Sequence, residues 1–304
     1  MTQILSRRER VLQDLKMLGL DGPKRSLGQN FLISDHVIDK ILFAVRAEPF
    51  DDLIEIGPGL GALTDDLLKL VEQGEHRLTL IELDRGFAQA WRVRTETLQA
   101  QVKVIEDDAP KIDWRTLGTR DGALLVSNLP YQISSSVVIE RSLQPTGINR
   151  MILMFQREVA SRIAARPATA DYGMLTVIAQ TFWETQTVCE AGPRDFFPPP
   201  DVASRVLQFR RKSQPWIESG HGTAPEFLSF VKAAYAQRRK LLVRNLQKSR
   251  FGGQANLVER VRAWLEGSGF SATARAEELD PASLLGLYLK MEEAEKDRRR
   301  GDHE

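Results

Sequence analysis

Along the first two-thirds of the chain, short apolar runs alternate with stretches of helical periodicity. The runs are "DLIEIG" (52–57), "RLTLIE" (77–82), "VKVIE" (102–106), "ALLVS" (123–127) and "MILMF" (151–155). Strands spaced by roughly 10–15 helical residues predict a parallel sheet with right-handed crossovers. Two more β-like runs, "FWETQTVCE" (182–190) and "SRVLQFR" (204–210), are separated only by a proline-rich loop. They predict an antiparallel pair closing one edge of the sheet. Upstream, 4–18 reads as a short amphipathic helix, followed by the basic loop "GPKRSLGQNFL" and a helix over 35–47. Past "KSQPWIESGHGTAP" (212–225), rich in Ser, Gly and Pro, the pattern is helical at about 225–249, 254–267 and 281–298. The expected organisation is an N-terminal extension (1–22), an α/β domain (23–212), a small helical domain (213–298) and a tail (299–304).

Composition changes this picture at a few points. With 304 residues, 42% hydrophobic and 27% charged, the chain has material for one large domain and a small one. A net charge of +1 names no partner, but its distribution is uneven. Residues 232–262 carry Lys232, Arg238, Arg239, Lys240, Arg244, Lys248, Arg250, Arg260 and Arg262 against Glu259 alone, a surface for an anionic partner. The one cysteine, Cys189, excludes a disulfide framework, and the four scattered histidines show no zinc spacing, so no metal is expected. No apolar run is long enough to cross a bilayer. The segment "MTQILSRRERVLQDLKML" lacks a signal-peptide core, and Glu9 and Asp14 argue against a transit peptide. A reduced, cytoplasmic, soluble protein is expected, without a membrane partner and monomeric.

"LIEIGPGLGALT" (53–64) passes from a strand through a glycine turn into a helix. Such a loop lets backbone approach a nucleotide, and the helix N-terminus favours negative charge. As GxGxxA it also fits a dinucleotide fingerprint. Glu82, ending the second strand, is placed to accept hydrogen bonds from a ribose diol, as it would in a dehydrogenase. Glu55, just before the glycines, and the acids of "EDDAP" (106–110), after the third strand, are less usual there. One of the latter can accept the exocyclic amine of an adenine; as plain structure, Asp107 and Asp108 are solvated loop carboxylates. Glycines, ribose acid and adenine acid at successive strand ends match an S-adenosylmethionine site.

"SNLPYQISSSVV" (127–138) falls at the end of the fourth strand, on the same sheet edge. The exocyclic nitrogen of adenine is a poor nucleophile, because its lone pair is delocalised into the ring. The Asn128 side-chain oxygen and a backbone carbonyl would hold its hydrogens and turn the lone pair toward an electrophile. Pro130 fixes the loop, and Tyr131 offers a face for an extruded base. Read without a substrate, the same residues make a type I turn with Tyr131 in the core. In "DFFPPPDVASRVLQF" (195–209), Phe196 and Phe197 precede three prolines, and one of them is expected as a second stacking face.

Taken in order, "KRSLGQNFL", "EIGPGLGALT", "IELDR", "DDA", "SNLPYQISS", "MFQREVASRI", "YGMLTVIAQ", "FFPPPDVASRV" and "QRRKLLVRNL" resemble the ribosomal small-subunit dimethyladenosine transferase family over about residues 23–290. The resemblance implies a Rossmann-like class I methyltransferase with a seven-stranded sheet, its last strand antiparallel, and a small C-terminal helical domain. It implies S-adenosylmethionine as cofactor and N6-dimethylation of two adjacent adenosines. These lie in a hairpin loop near the 3′ end of small-subunit (16S) rRNA and are modified late in subunit assembly. By position, Gln29, Asn30 and Leu32 would flank the cofactor. Gly57, Gly59 and Gly61 would form its loop, Glu82 its ribose contact and Asp108, beside Ala109, its adenine contact. Asn128, Leu129, Pro130, Tyr131 and Phe196 would form the target pocket, Asn128 also lying near the methionine moiety.

Several cations are candidate phosphate contacts: Lys24, Arg25, Arg157, Arg162, Arg166, Arg238, Arg239, Lys240, Arg244 and Lys248. Lys240, Arg244 and Lys248 recur every fourth residue, which predicts one cationic helix stripe. A solvated face, and a Glu158–Arg162 pair, are the structural alternatives. Three other functions compete: an adenine methyltransferase of the resistance type acting on large-subunit rRNA, an assembly or transcription factor that does not depend on catalysis, and a nicotinamide dehydrogenase. "YGMLTV" and "QRRKLLVRNL" favour the small-subunit group.

Overall fold

The computed structural model describes residues 5–19, 22–23, 29–72, 76–144, 146–214, 217, 220 and 222–301, the last eight by backbone alone. The chain divides into two compact units.

The first unit comprises residues up to Arg141, then Pro145–Ala160 and Thr185–Arg211. Its strands are β1 (Phe31–Leu32), β2 (Asp52–Ile56), β3 (Arg77–Glu82), β4 (Val102–Glu106), β5 (Ala123–Asn128), β6 (Ile148–Gln156), β7 (Trp183–Ala191), β8 (Phe196–Phe197) and β9 (Ser204–Arg211). Seven of them form a sheet in the order β4-β3-β2-β5-β6-β9-β7. From β4 to β6 every pairing is parallel. β9 runs antiparallel to β6, from Arg150↔Arg210 to Gln156↔Ser204. The two late runs are thus neighbours that close this edge of the sheet, as expected, with β9 against β6 and β7 outermost. β2 is buried along its whole length, as is β5 up to Ser127, which explains why both are mostly apolar, with Asp52 and Glu55 the buried charges of β2.

Strand order reverses between β2 and β5, a switch point whose carboxyl-end crevice is where such sheets bind ligands. Helices α2 (Asp35–Arg46) and α3 (Thr64–Glu72) bury Ile38, Ile41, Leu67 and Val71 in the core cluster that also takes Leu53, Leu80 and Leu124. α4 (Arg85–Arg94) follows β3 and α5 (Ser134–Leu143) follows β5. The N-terminal helix α1 (Arg7–Met17) starts at a capping box in which Ser6 and Glu9 satisfy each other's backbone N–H. β1 and β8 form a separate two-stranded antiparallel sheet, pairing Phe31 with Phe197 and Leu32 with Phe196.

The second unit comprises Ser142–Gln144, Ser161–Glu184 and the chain from Lys212 onward. The helical domain expected for 213–298 thus also takes in Ser161–Glu184, which carries α7 (Met174–Phe182) after the short α6 (Arg157–Ile163). Tyr172 is buried and donates its hydroxyl to the Leu279 carbonyl at 2.8 Å, and the Phe182 ring meets Phe227 at 6.4 Å. The helix expected over 225–249 is broken into Ala224–Ala234 and Leu242–Gln247. Buried Asn245 is the cause. Its Nδ2 donates to Ala234 O (2.7 Å) and Gln237 O (3.1 Å), and Leu242 N–H bonds Ala274 O (3.0 Å). Those bonds satisfy carbonyls that an uninterrupted helix would pair internally. Helices Leu257–Gly267 and Pro281–Gly301 complete the unit. No helix among the described residues is long and apolar enough to cross a membrane.

Candidate functional site

Strand order alone places the carboxyl ends of β2, β3, β4 and β5 around one crevice, and a cleft of about 370 Å³ opens there. Its first wall is the glycine loop after β2. Gly57, Gly59 and Gly61 have φ of +65°, +52° and +91°, a backbone that L side chains rarely adopt. At Gly61 space forbids a side chain as well: a Cβ would stand 2.6 Å from Asp65 Oδ1 and 2.9 Å from the Trp91 ring. Trp91 Nε1 donates to Gly59 O at 2.8 Å, and this bond pins the loop.

Glu82, 6% exposed, ends β3 opposite the loop and accepts from Gly59 N (3.1 Å) and Asp84 N (2.8 Å). Burial raises its pKa, and these backbone bonds work against the rise. Leu83 follows it into the cleft wall at 54% exposure, an apolar plate beside the acid. After β4, Asp107, Asp108 and Ala109 line the same space. Asp107 Oδ1 accepts the Asp108 N–H at 2.7 Å, so the exposed Asp107 folds back on its neighbour, while half-buried Asp108 pairs with Lys111 at 3.1 Å.

The fourth side is the corner after β5. Asn128, Leu129, Pro130 and Tyr131 all line the cleft. The Pro130 ring lies 3.8 Å from where a Gly57 Cβ would be, so corner and glycine loop are in near contact. Asn128 Nδ2 donates to Asn30 O at 3.2 Å. The Tyr131 hydroxyl sits 2.9 Å from Ser204 Oγ, and Ser134 Oγ donates to Tyr131 O at 2.9 Å. Gln29, Asn30 and Leu32 complete this side.

Phe196 is a correction. Expected as a second stacking face, it is 2% exposed, packs in the core cluster with Leu32 and is no part of the cleft wall. Register with β1 decides this, because adjacent strand residues face opposite ways and Phe196 pairs with buried Leu32. Its half-buried neighbour Phe197 packs with Phe31 and carries the Arg8 guanidinium 5.1 Å over its ring.

One contributor escaped sequence reasoning. α1 lends Arg7, Arg10, Val11 and Asp14 to the wall. Glu55, buried on β2, also lines the cleft, and its Oε2 has no hydrogen-bond partner. Burial, aided by the Asp65 and Glu82 charges and opposed by Thr64, pushes its pKa up to about 8. Its place directly before the glycines is what singles it out in the sequence.

The cations fall apart as a set. Lys24 and Arg25 lie outside the described residues. Arg157, Arg162 and Arg166 are exposed. Arg238 is tied down by Glu277 at 2.5 Å and Thr169 O at 3.0 Å. Arg239, Lys240, Arg244 and Lys248 are exposed, but the expected single stripe is absent: Lys240 lies in the turn before Leu242–Gln247 and Lys248 caps its end.

The donor set suits an S-adenosyl group. A positive-φ loop leaves backbone open at the strand ends, a buried carboxylate stands opposite it, and the orphaned Glu55 oxygen is matched by a ligand that carries positive charge. A family model described as ribosomal RNA adenine dimethylase matches residues 21–263. The ribosomal RNA small subunit methyltransferase A of Bdellovibrio bacteriovorus is 50% identical over 282 residues, covering 92% of this chain and 96% of the relative. That of Syntrophotalea carbinolica is 39% identical, covering 86% and 96%. Among solved structures, a dimethyladenosine transferase from Plasmodium falciparum superposes with TM-score 0.68 at 23% identity (87% of this chain, 98% of that one). The 23S rRNA methyltransferase ErmE gives 0.61 at 24% (86% and 99%). These two likenesses are of fold, that of a Rossmann-like class I methyltransferase.

Proposed function

The chain belongs to the ribosomal RNA adenine dimethylase family, and we propose that it dimethylates N6 of two adjacent adenosines in the hairpin loop near the 3′ end of small-subunit rRNA, late in subunit assembly. It is an S-adenosylmethionine-dependent rRNA adenine dimethyltransferase of the small subunit. The observation that carries the reading is that glycine loop, buried Glu82 and the Asn128–Tyr131 corner open into one cleft.

When bound, the cofactor supplies an electrophilic methyl group on a sulfonium. Glu82 holds a ribose diol, and Asp108 rather than Asp107 accepts the adenine amine, being the more buried and the one not folded onto its own backbone neighbour. In the corner, the Asn128 amide spends its donor side on Asn30 O, which leaves Oδ1 to accept a hydrogen of the target amine. Held this way, the amine's lone pair points at the methyl, and the charge that builds on nitrogen meets oxygen dipoles. Tyr131, its ring fixed through Ser204, supports the extruded base by stacking. No strong base is needed, since the methylated nitrogen loses its proton readily.

For RNA, the exposed Arg239, Lys240, Arg244 and Lys248 of the helical unit are phosphate contacts, as are Arg157, Arg162 and Arg166. Arg238 serves structure instead. The unit that carries the sheet is the catalytic region of this reading, and the helical unit, with Ser161–Glu184 and the chain from Lys212 onward, is the RNA-binding one. A monomer in the cytoplasm completes it. Incubation with labelled S-adenosylmethionine and either immature small subunits or large subunits tests it: label on N6 of small-subunit adenosines is expected, and label confined to large-subunit RNA would overturn it.

A further inference from the structure

Helix α1 precedes the segment matched by the family model, residues 21–263, yet it forms part of the cleft wall. It is docked by both apolar and polar contacts. Val11 and Leu15 are buried in a cluster with Phe31 and Phe87, Arg8 covers the Phe197 ring, and Arg7 ion-pairs with Asp35. Two further residues of the helix are not explained by this docking. Arg10 and Asp14, one turn apart, line the cleft itself. Asp14 is half-buried, and its carboxyl is pushed up first by burial and then by the charge of Asp65. Arg10 is exposed at the rim, but a helix serving stability alone keeps a carboxyl such as that of Asp14 in water too, where solvation is cheapest.

The adenosine part of an S-adenosyl ligand is uncharged, and Glu82 and Asp108 already answer its polar atoms. With Arg7 paired to Asp35, the helix offers the cleft Arg10 and Asp14, and only the amino-acid end, a zwitterion, complements both. We propose that α1 is a binding element of the methyl-donor cleft, with Arg10 receiving the carboxylate and Asp14 the ammonium of the ligand's amino-acid end. This assignment rests on reading the cleft as an S-adenosyl site. It gives α1 a task in the reaction, as a wall that selects ligands carrying the amino-acid group.

Isothermal titration of the full chain with S-adenosylhomocysteine and with 5′-methylthioadenosine, which lacks the amino-acid end, provides the test. Arg10→Ala and Asp14→Asn should each weaken S-adenosylhomocysteine by about fivefold, the loss of one charge-assisted hydrogen bond, and leave 5′-methylthioadenosine unchanged. S-adenosylhomocysteine binding at wild-type strength in both variants would overturn the proposal, as would equal weakening of both ligands. A wild-type chain that binds neither ligand would instead refute the S-adenosyl reading of the cleft. Both substitutions lie outside the buried core, and a cooperative melt at the wild-type temperature verifies that each variant is folded.

Discussion

Asn128 Nδ2 donates to Asn30 O at 3.2 Å, joining the end of β5 to the stretch before β1 across 98 residues of sequence. The bond fixes which way the amide faces, and so where its acceptor oxygen lies. Asn128→Ala is expected to lower the rate of methyl transfer by about 10²–10³-fold, the effect of removing a placed dipole from a developing charge. Binding of small-subunit RNA should be nearly unchanged. Single-turnover labelling beside filter binding checks both, and joint loss would mark Asn128 as a folding residue.

Tyr131 separates ring from hydroxyl in a measurable way. Tyr131→Phe keeps the face and loses only the bond to Ser204, whereas Tyr131→Ala removes a stacking partner of roughly 1–3 kcal/mol. The alanine variant should lose about 10–100-fold in kcat/KM on RNA, and the phenylalanine variant a few-fold at most. Equal losses would place the function in the hydroxyl.

Glu55 predicts a pH dependence whose sign is fixed. Its folded pKa, about 8, lies above that of an ordinary carboxyl, so between the two the folded state holds a proton that the unfolded state has lost. The contribution is fully present below the unfolded pKa and declines as pH rises toward 8. Chemical denaturation at several pH values from about 5 to about 8 should show stability falling with pH in the wild type and a flatter profile in Glu55→Gln. Affinity for a cationic ligand should move the opposite way and rise with pH, since Glu55 must ionise to pair with it.

Gly61→Ala meets two obstacles at once, a φ of +91° and Asp65 and Trp91 atoms no more than 3.0 Å away. A loss of about 1–3 kcal/mol is expected from backbone strain and displaced neighbours. Gly57→Ala, with open space to 3.8 Å, should lose only the conformational part, about 1–2 kcal/mol. Urea titration ranks the pair.

Removing Arg239, Lys240 and Arg244 together should make RNA binding less sensitive to salt. The slope of log affinity against log salt should shrink by about 0.7 for each phosphate no longer neutralised. Arg238→Ala should instead lower the unfolding temperature, because its guanidinium holds Glu277 and the Thr169 carbonyl. An Arg238 variant with unchanged stability and a reduced salt slope would reverse that division.

The sheet was readable because parallel strands are buried on both faces, which leaves apolar runs such as 123–126 and, interrupted by Glu55, 53–56. The glycine loop, Glu82 and the 128–131 corner were likewise readable, since each follows a strand end. What escaped depends on partners distant in sequence. The choice between Phe196 and Phe197 is made by pairing with β1, and two-residue strands carry no alternation to detect. The break between Ala234 and Leu242 depends on Asn245 reaching back and on Ala274 reaching across. Sequence period alone continues the helix through it, and so drew Lys240, Arg244 and Lys248 onto one face. The wall formed by α1 had no motif at all, only Val11 and Leu15 at helical spacing.

Because Ser161–Glu184 packs with helices that begin well beyond it in the chain, the helical unit is discontinuous in sequence. A nascent polypeptide emerging from the ribosome therefore has Tyr172 and Phe182 outside before Leu279 and Phe227 exist to cover them. Cutting the gene at residue 212 would strand those side chains in water on one fragment and leave matching hollows in the other, so neither half is a self-sufficient module.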